Sequence, residues 1–179
     1  SWKHPERPAE ESVLAPWSAG HWIEWIGQKA TIASPFGSHG QPSFHDAVGF
    51  YFLEDDAEIA ALLDRRRVRW VVVESDLLKL EHAARMAAID PEIFLAPATA
   101  DGRQPVRLDR LMTTIGARLA FAGDPSGPAT TAAPASPPGF HEVYRTPQQR
   151  QGPFGPVPFI RVYEIDRRDL LGDGRRPVS

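Results

Sequence analysis

Arg69-Trp70-Val71-Val72-Val73-Glu74 is the run from which the fold is read. Three successive β-branched residues between charges favour an extended chain, because branching at Cβ restricts χ1 and packs well on a pleated surface. A continuous apolar run, rather than an alternating one, predicts a strand buried on both faces. Upstream, residues 54–67 carry Ile59, Leu62 and Leu63 at helical spacing. Asp55 and Glu58 there form a capping-box variant in which Asp replaces Ser or Thr. Downstream, Ser75 is placed to cap a helix from Asp76 to about Ile89. Further out, residues 18–28 put Trp22, Trp25 and Ile26 on one side of a short helix with an aromatic face. Residues 106–121 put Leu108, Leu111, Met112, Ile115 and Leu119 on one stripe, which predicts a single long helix. Two late strands follow, 142–145 and 159–165. In the second, Ile160, Val162 and Glu164 alternate with Phe159, Arg161, Tyr163 and Ile165. The pattern predicts a mixed α/β (α+β) domain, several helices packed around a small sheet, with long Pro-rich loops.

The whole chain has 179 residues, enough for one domain with its own core. Its 42% apolar and 24% charged content is ordinary for a globular chain and disfavours wholesale disorder. A net charge of −3 disfavours a nucleic-acid partner, which calls for a strongly basic surface. No apolar run approaches the roughly 20 residues that span a bilayer. The polar start, Ser1-Trp2-Lys3-His4-Pro5, lacks a leader and reads as the cut edge of something larger. Without Cys there are no disulfides, thiolate metal sites or Cys nucleophiles, and without Asn there is no N-glycosylation acceptor. The 18 Pro are clustered and set the expected divisions. These are a flexible lead-in over residues 1–12, a globular domain over 13–171 and a disordered tail over 172–179. Residues 122–139, AGDPSGPATTAAPASPPG, contain no large apolar side chain and are expected to form an exposed loop inserted in the domain. Residues 147–158 are expected to be a second such stretch between strands.

Few residues offer self-sufficient chemistry. His39, His45 and Asp46 share a Gly/Ser-rich segment, but their spacing matches no helix or hairpin ligand pattern, so a metal is not assigned to them. A hydrolytic triad of Ser38 (or Ser34), His39 and Asp46 is a distant reading, since spacing alone does not establish that geometry. Arg65, Arg66 and Arg67 end a predicted helix, where cations favour the dipole and solvent is the expected surrounding. His21 within the Trp-rich helix reads as a hydrogen-bonded structural histidine.

One order of motifs is more informative. Val13-Leu14-Ala15-Pro16-Trp17-Ser18-Ala19-Gly20-His21-Trp22 runs from an apolar strand into the aromatic helix. It is followed by Gly27 to Gly37, the strand at Val68 to Ser75, Leu119-Ala120-Phe121-Ala122-Gly123, Phe140-His141-Glu142-Val143-Tyr144-Arg145 and Pro158 to Ile165. Over most of residues 13–166 this order resembles the soluble C-terminal domain of oligosaccharyltransferase catalytic subunits of bacterial and archaeal type. Those membrane enzymes transfer lipid-linked glycans to Asn in Asn-x-Ser/Thr. The family's WWDYG motif, which recognises the Ser/Thr hydroxyl, stands here as Pro16-Trp17-Ser18-Ala19-Gly20, without its Asp and Tyr. The loss of the carboxylate weakens that recognition, because charge-assisted hydrogen bonds are about twice as strong as neutral ones.

The resemblance implies an acceptor-binding set of Trp17, Ser18, Gly20, His21, Asp76, Lys79, Met86 and Ile89. Asp76-Leu77-Leu78-Lys79 supplies the first half of the family's DxxKxxxM element, and Met86 with Ile89 and Ile93 fits its MxxI alternative. Met86 and Ile89 are equally ordinary core positions. The resemblance places no catalytic residue, metal or cofactor in this chain. Catalytic carboxylates and Mn or Mg belong to a multi-pass membrane portion, and the chain by itself is expected to be inactive. The implied partners are its own transmembrane domain, an acceptor polypeptide and, through the membrane part, a polyprenyl-diphosphate oligosaccharide. The implied location is the extracytoplasmic face. The alternative is a non-catalytic carbohydrate- or partner-binding module using Trp17, Trp22 and Trp25, a cluster whose plainer reading is core.

Overall fold

A computed structural model describes residues 11–35, 40–76, 79–100, 104–123, 135–153 and 155–170. Ser38 and His39, most of the 122–139 stretch and all but two residues of the lead-in lie outside the described residues, as does the tail.

A five-stranded sheet of order β2-β1-β3-β7-β4 carries the fold. Its strands are β1 (Ser12–Leu14), β2 (Ala30–Thr31), β3 (Val68–Glu74), β4 (Phe140–Arg145) and β7 (Ile160–Ile165). β2 and β3 both run parallel to β1, whereas β7 is antiparallel to β3 and β4 antiparallel to β7. Parallel neighbours need crossover connections, and helices supply them. These are α1 (Gly20–Trp25), α2 (Pro42–Gly49) and α3 (Asp56–Arg65), with α4 (Leu80–Met86), α5 (Leu108–Leu111) and α6 (Ile115–Ala120) following β3. Asp55 caps α3 as the capping variant predicts, its carboxylate accepting the Ala57 and Glu58 amides, both at 2.9 Å. The core lies between sheet and helices, with Leu14, Ile59, Leu63, Val68, Val71, Ile115, Leu119 and Tyr163 fully buried. The Tyr163 hydroxyl donates to the Leu119 carbonyl at 2.7 Å and ties β7 to α6.

Several expectations are corrected. β3 is not buried on both faces: Val71 and Val73 face the core, while Trp70 is half-exposed beneath Lys29 and Arg69, 5.0 and 4.6 Å from its ring. The Ser75 hydroxyl donates to the Pro158 carbonyl at 2.7 Å and locks the end of β3 to the incoming β7, while Leu77 and Leu78, whose amides it is expected to cap, lie outside the described residues. The single helix over 106–121 is two. The chain turns at Met112 and Thr113, and Thr114, buried, restarts it as the α6 cap. The stretch 147–158 forms an antiparallel hairpin of β5 (Gln149–Gly152) and β6 (Gly155–Pro158). Each of its two Pro within strands sits where a two-stranded ribbon has a free edge. Asp46, assigned to a loop, lies on α2 and pairs with Arg66 at 2.6 Å and Arg65 at 3.1 Å; Arg65 and Arg67 are exposed at the helix end as expected, and Arg66 is half-buried.

Candidate functional site

Neighbouring parallel strands release their outgoing chain at the same edge of a sheet. β1 ends in Ala15-Pro16 and enters a one-turn 3-10 helix, Trp17–Ala19. β3 ends in Glu74 and continues through Ser75 and Asp76 towards α4. The two segments, more than 50 residues apart in sequence, thus arrive side by side. α2, the turn Phe50–Phe52 and α6 close the space beneath them. The result is a cavity of ≈ 180 Å³. Its walls include Val48, Phe52, Val73, Leu80, Leu111 and Phe121, all buried. Trp17 and Met86, half-buried, flank it, and the exposed Ser18, Lys79 and His82 stand at its mouth.

Five of the eight residues singled out by the resemblance line this cavity: Trp17, Ser18, Asp76, Lys79 and Met86. Gly20, His21 and Ile89 do not. Gly20 serves backbone packing, since a Cβ there would lie 2.2 Å from the Ala33 carbonyl oxygen. His21 is half-buried with its ring 4.7 Å from that of Trp22. Ile89 is half-buried against the core behind α4. Trp22, Trp25 and Ile26 face solvent at 58%, 76% and 68% exposure, which corrects the expectation that this cluster is core.

The polar groups at the cavity have definite partners. Lys79 Nζ lies 2.9 Å from a Glu74 carboxylate oxygen and 3.9 Å from one of Asp76. The Tyr51 hydroxyl donates to the Val72 carbonyl at 2.8 Å, and Thr114 to Leu111 at 2.8 Å. Burial, and secondarily the Glu74 carboxylate, raise the Tyr51 hydroxyl well above its usual 10.0, so it stays protonated as a donor. Burial also raises Tyr163, against a smaller opposing effect of Arg161. Sequence reasoning missed the α2 wall and His82. The signals were present: Pro42 suits a first helical turn, with Phe44, Ala47 and Val48 at i, i+3, i+4 behind it. His82 falls one turn beyond Lys79.

Among the described residues, one group of three metal-ligating side chains comes together, His141, Asp166 and Asp169, with ligand atoms within 4.8 Å. It is exposed and lies at the opposite end of the sheet, where Trp70, Glu164 and His141 are in register, whereas Glu74 pairs with Ile160. At the cavity, the two carboxylates already face an ammonium. No described helix is long and apolar enough to cross a membrane.

No family model matches the chain. Over 72 residues it is 31% identical to dolichyl-phosphooligosaccharide-protein glycotransferase 2 of Archaeoglobus fulgidus, a stretch spanning 40% of this chain and 11% of that protein. In fold, it matches the crystallised C-terminal globular domain of an oligosaccharyltransferase from the same organism with a TM-score of 0.54 and 19% identity. That match covers 92% of this chain and 91% of the other. Two larger structures of oligosaccharyltransferase from that organism match 89% of this chain, each with a TM-score of 0.60. One, 14% identical and matched over 28% of its length, is tethered to an acceptor peptide containing the sequon Asn-Val-Thr. The other, 13% identical and matched over 27%, is in complex with an inhibitory peptide and a dolichol-phosphate. A further structure, 13% identical with a TM-score of 0.61, is in complex with Zn and sulfate. The chain thus shares its fold with the C-terminal globular domain of archaeal oligosaccharyltransferases, and part of its sequence with one of them.

Proposed function

We propose that this chain is the extracytoplasmic C-terminal domain of a multi-pass membrane glycosyltransferase of oligosaccharyltransferase type, and that it recognises the acceptor polypeptide. The observation that carries the reading is the convergence of Trp17 and Ser18 with Asp76, Lys79 and Met86 on one cavity. Trp17 and Met86 give an apolar wall, and Ser18, Asp76 and Lys79 give a polar rim for a peptide backbone. The glycan donor, a polyprenyl-diphosphate oligosaccharide, is handled by the membrane part.

The Mn or Mg that such an enzyme uses does not fit this domain's cavity. Divalent hard cations take several oxygen ligands, and Glu74 and Asp76 are engaged by Lys79. The role of these residues is to bind and orient the acceptor, not to transfer the glycan. Membrane fractionation of the native polypeptide tests the reading. The expected result is an integral membrane protein several times heavier than 19.8 kDa, with no glycan transfer by the isolated chain given a lipid-linked donor and peptide. A native product near the mass of this chain that stays out of the membrane fraction would sink it.

The exposed Trp22 and Trp25 support the second reading, a carbohydrate- or partner-binding module. Neither lines the cavity, so that reading predicts a different surface.

A further inference from the structure

Trp22, Trp25 and Ile26 are the three most exposed large apolar side chains among the described residues. Their exposure follows from how α1 is held. With about 3.6 residues per turn, Gly20 and Glu24 fall on the side of the helix away from these three. Gly20 is pressed against the backbone of Ala33 and Ser34, and the Glu24 carboxylate accepts from the Thr31 hydroxyl at 2.5 Å. Both contacts fasten α1 to β2 and the segment after it, and so turn the aromatic side outward. The exposed stretch continues through Gly27, Gln28 and Lys29. From Trp25 to Lys29 the sole formal charge is the Lys29 ammonium, 5.0 Å from the half-exposed Trp70 ring. Arg69, the next cation, is neutralised by Glu11 and Glu164.

The chemistry of this face selects its occupant. None of the three side chains lines the cavity, and large groups standing out from a helix of six residues form a ridge rather than a groove. A sugar stacked on Trp25 would need an acceptor for its hydroxyls, and the one carboxylate of the helix is engaged by Thr31. A bilayer surface makes no demand for a groove. Indoles settle at its boundary between headgroups and acyl chains, aliphatic side chains go deeper, and a Lys stem carries its ammonium to the phosphates.

We infer that the exposed face of α1 is a seat on the lipid surface: Trp22, Trp25 and Ile26 enter the headgroup–acyl boundary and Lys29 meets lipid phosphate. This rests on the membrane-enzyme reading and adds how the domain sits against the bilayer. The helix lies on the membrane and does not span it. Its consequence is the position of the cavity. Trp22 follows Ser18 by four residues, about 6–8 Å of helical rise. Seating α1 therefore keeps the mouth of the cavity beside the bilayer surface, where a lipid-linked donor is presented.

The test is flotation of the full chain with vesicles of phosphatidylcholine containing a minority of phosphatidylglycerol. No described helix is long and apolar enough to cross a membrane, so flotation reports the seat. The chain is expected to float, with its Trp emission shifted to shorter wavelength and quenched by brominated lipid. Trp22→Ser with Trp25→Ser is expected to weaken partition at least about tenfold, from the apolar area no longer buried. Both positions are exposed, so this variant is expected to keep the circular dichroism of the parent. Lys29→Gln is expected to weaken partition about fivefold on these vesicles and to leave it unchanged on phosphatidylcholine alone. A parent that does not float, or a double variant that floats as the parent does, would overturn the seat. Saturable shifts at Trp22 and Trp25 on adding a soluble oligosaccharide, without flotation, would overturn it in favour of the carbohydrate module. The membrane-enzyme reading falls on a separate result, a native polypeptide that stays out of the membrane fraction.

Discussion

Glu142→Ala is expected to destabilise the fold by about 3–5 kcal/mol, the cost of stranding a buried charge. Arg161 on β7 is 3% exposed. Its Nη1 lies 2.7 Å from one Glu142 oxygen, and Arg145 meets the other. Arg161 also reaches the Tyr163 hydroxyl at 3.5 Å, and that hydroxyl holds the Leu119 carbonyl. One carboxylate thus neutralises the guanidinium beneath which β7 is fastened to α6. Removing it leaves Arg161 to keep its charge in the core, because a guanidinium does not deprotonate. With a urea m-value of about 2 kcal/mol/M, the unfolding midpoint should fall by roughly 2 M. Replacing both partners together, Glu142→Leu with Arg161→Met, should recover most of the loss, since apolar isosteres substitute well for buried ion pairs. A midpoint shift too small to resolve for Glu142→Ala would contradict the assignment of Arg161 as a buried, singly neutralised charge.

Gly20→Ala is expected to be nearly as damaging, at about 3 kcal/mol, and to act on the site as well as on the fold. A Cβ at Gly20 would stand 2.2 Å from the Ala33 carbonyl oxygen and 2.8 Å from Ser34 Cα. Both obstacles are backbone, so no side-chain rotation relieves the clash. Its backbone is ordinary right-handed helix (φ −54°, ψ −46°), so the requirement is for space rather than for unusual torsions. The segments to give way are the one after β2 or the turn Trp17–Ala19, and the second carries two cavity residues. A lowered thermal midpoint with weakened peptide binding is the expected pair of results. A variant as stable as the parent would show that Gly20 is not packed against residues 33–34.

The fold was legible where one face of one element decided it. Val71 and Val73, the Asp55 cap and the alternation of β7 read correctly, because burial and capping are local in sequence. The errors arise where one local signal outweighs another or a distant segment supplies the partner. Thr114 breaks a continuous helical stripe, and its hydroxyl satisfies the Leu111 carbonyl at the break. Ser75, read only as a cap, also donates its hydroxyl to a carbonyl 83 residues later, a contact that its local sequence does not signal. Trp22 and Trp25 have core-like spacing, yet α1 has only six residues and turns that side to solvent. Half of the site followed from the resemblance. The α2 wall did not, because Pro42 and Gly40 suggest a loop until Phe44, Ala47 and Val48 are seen on one face.

The central claim is that the turn after β1 and the start of α4 together recognise an acceptor polypeptide. It is tested most directly by mapping amide chemical-shift changes on the labelled chain while a capped Asn-Val-Thr peptide is added. The account predicts saturable changes concentrated at Trp17, Ser18, Asp76, Lys79, His82 and Met86, with α1 beyond Gly20 little affected. Changes centred on Trp22, Trp25 and Ile26, with the cavity residues unmoved, would contradict it and favour a binding module that uses the exposed face of α1.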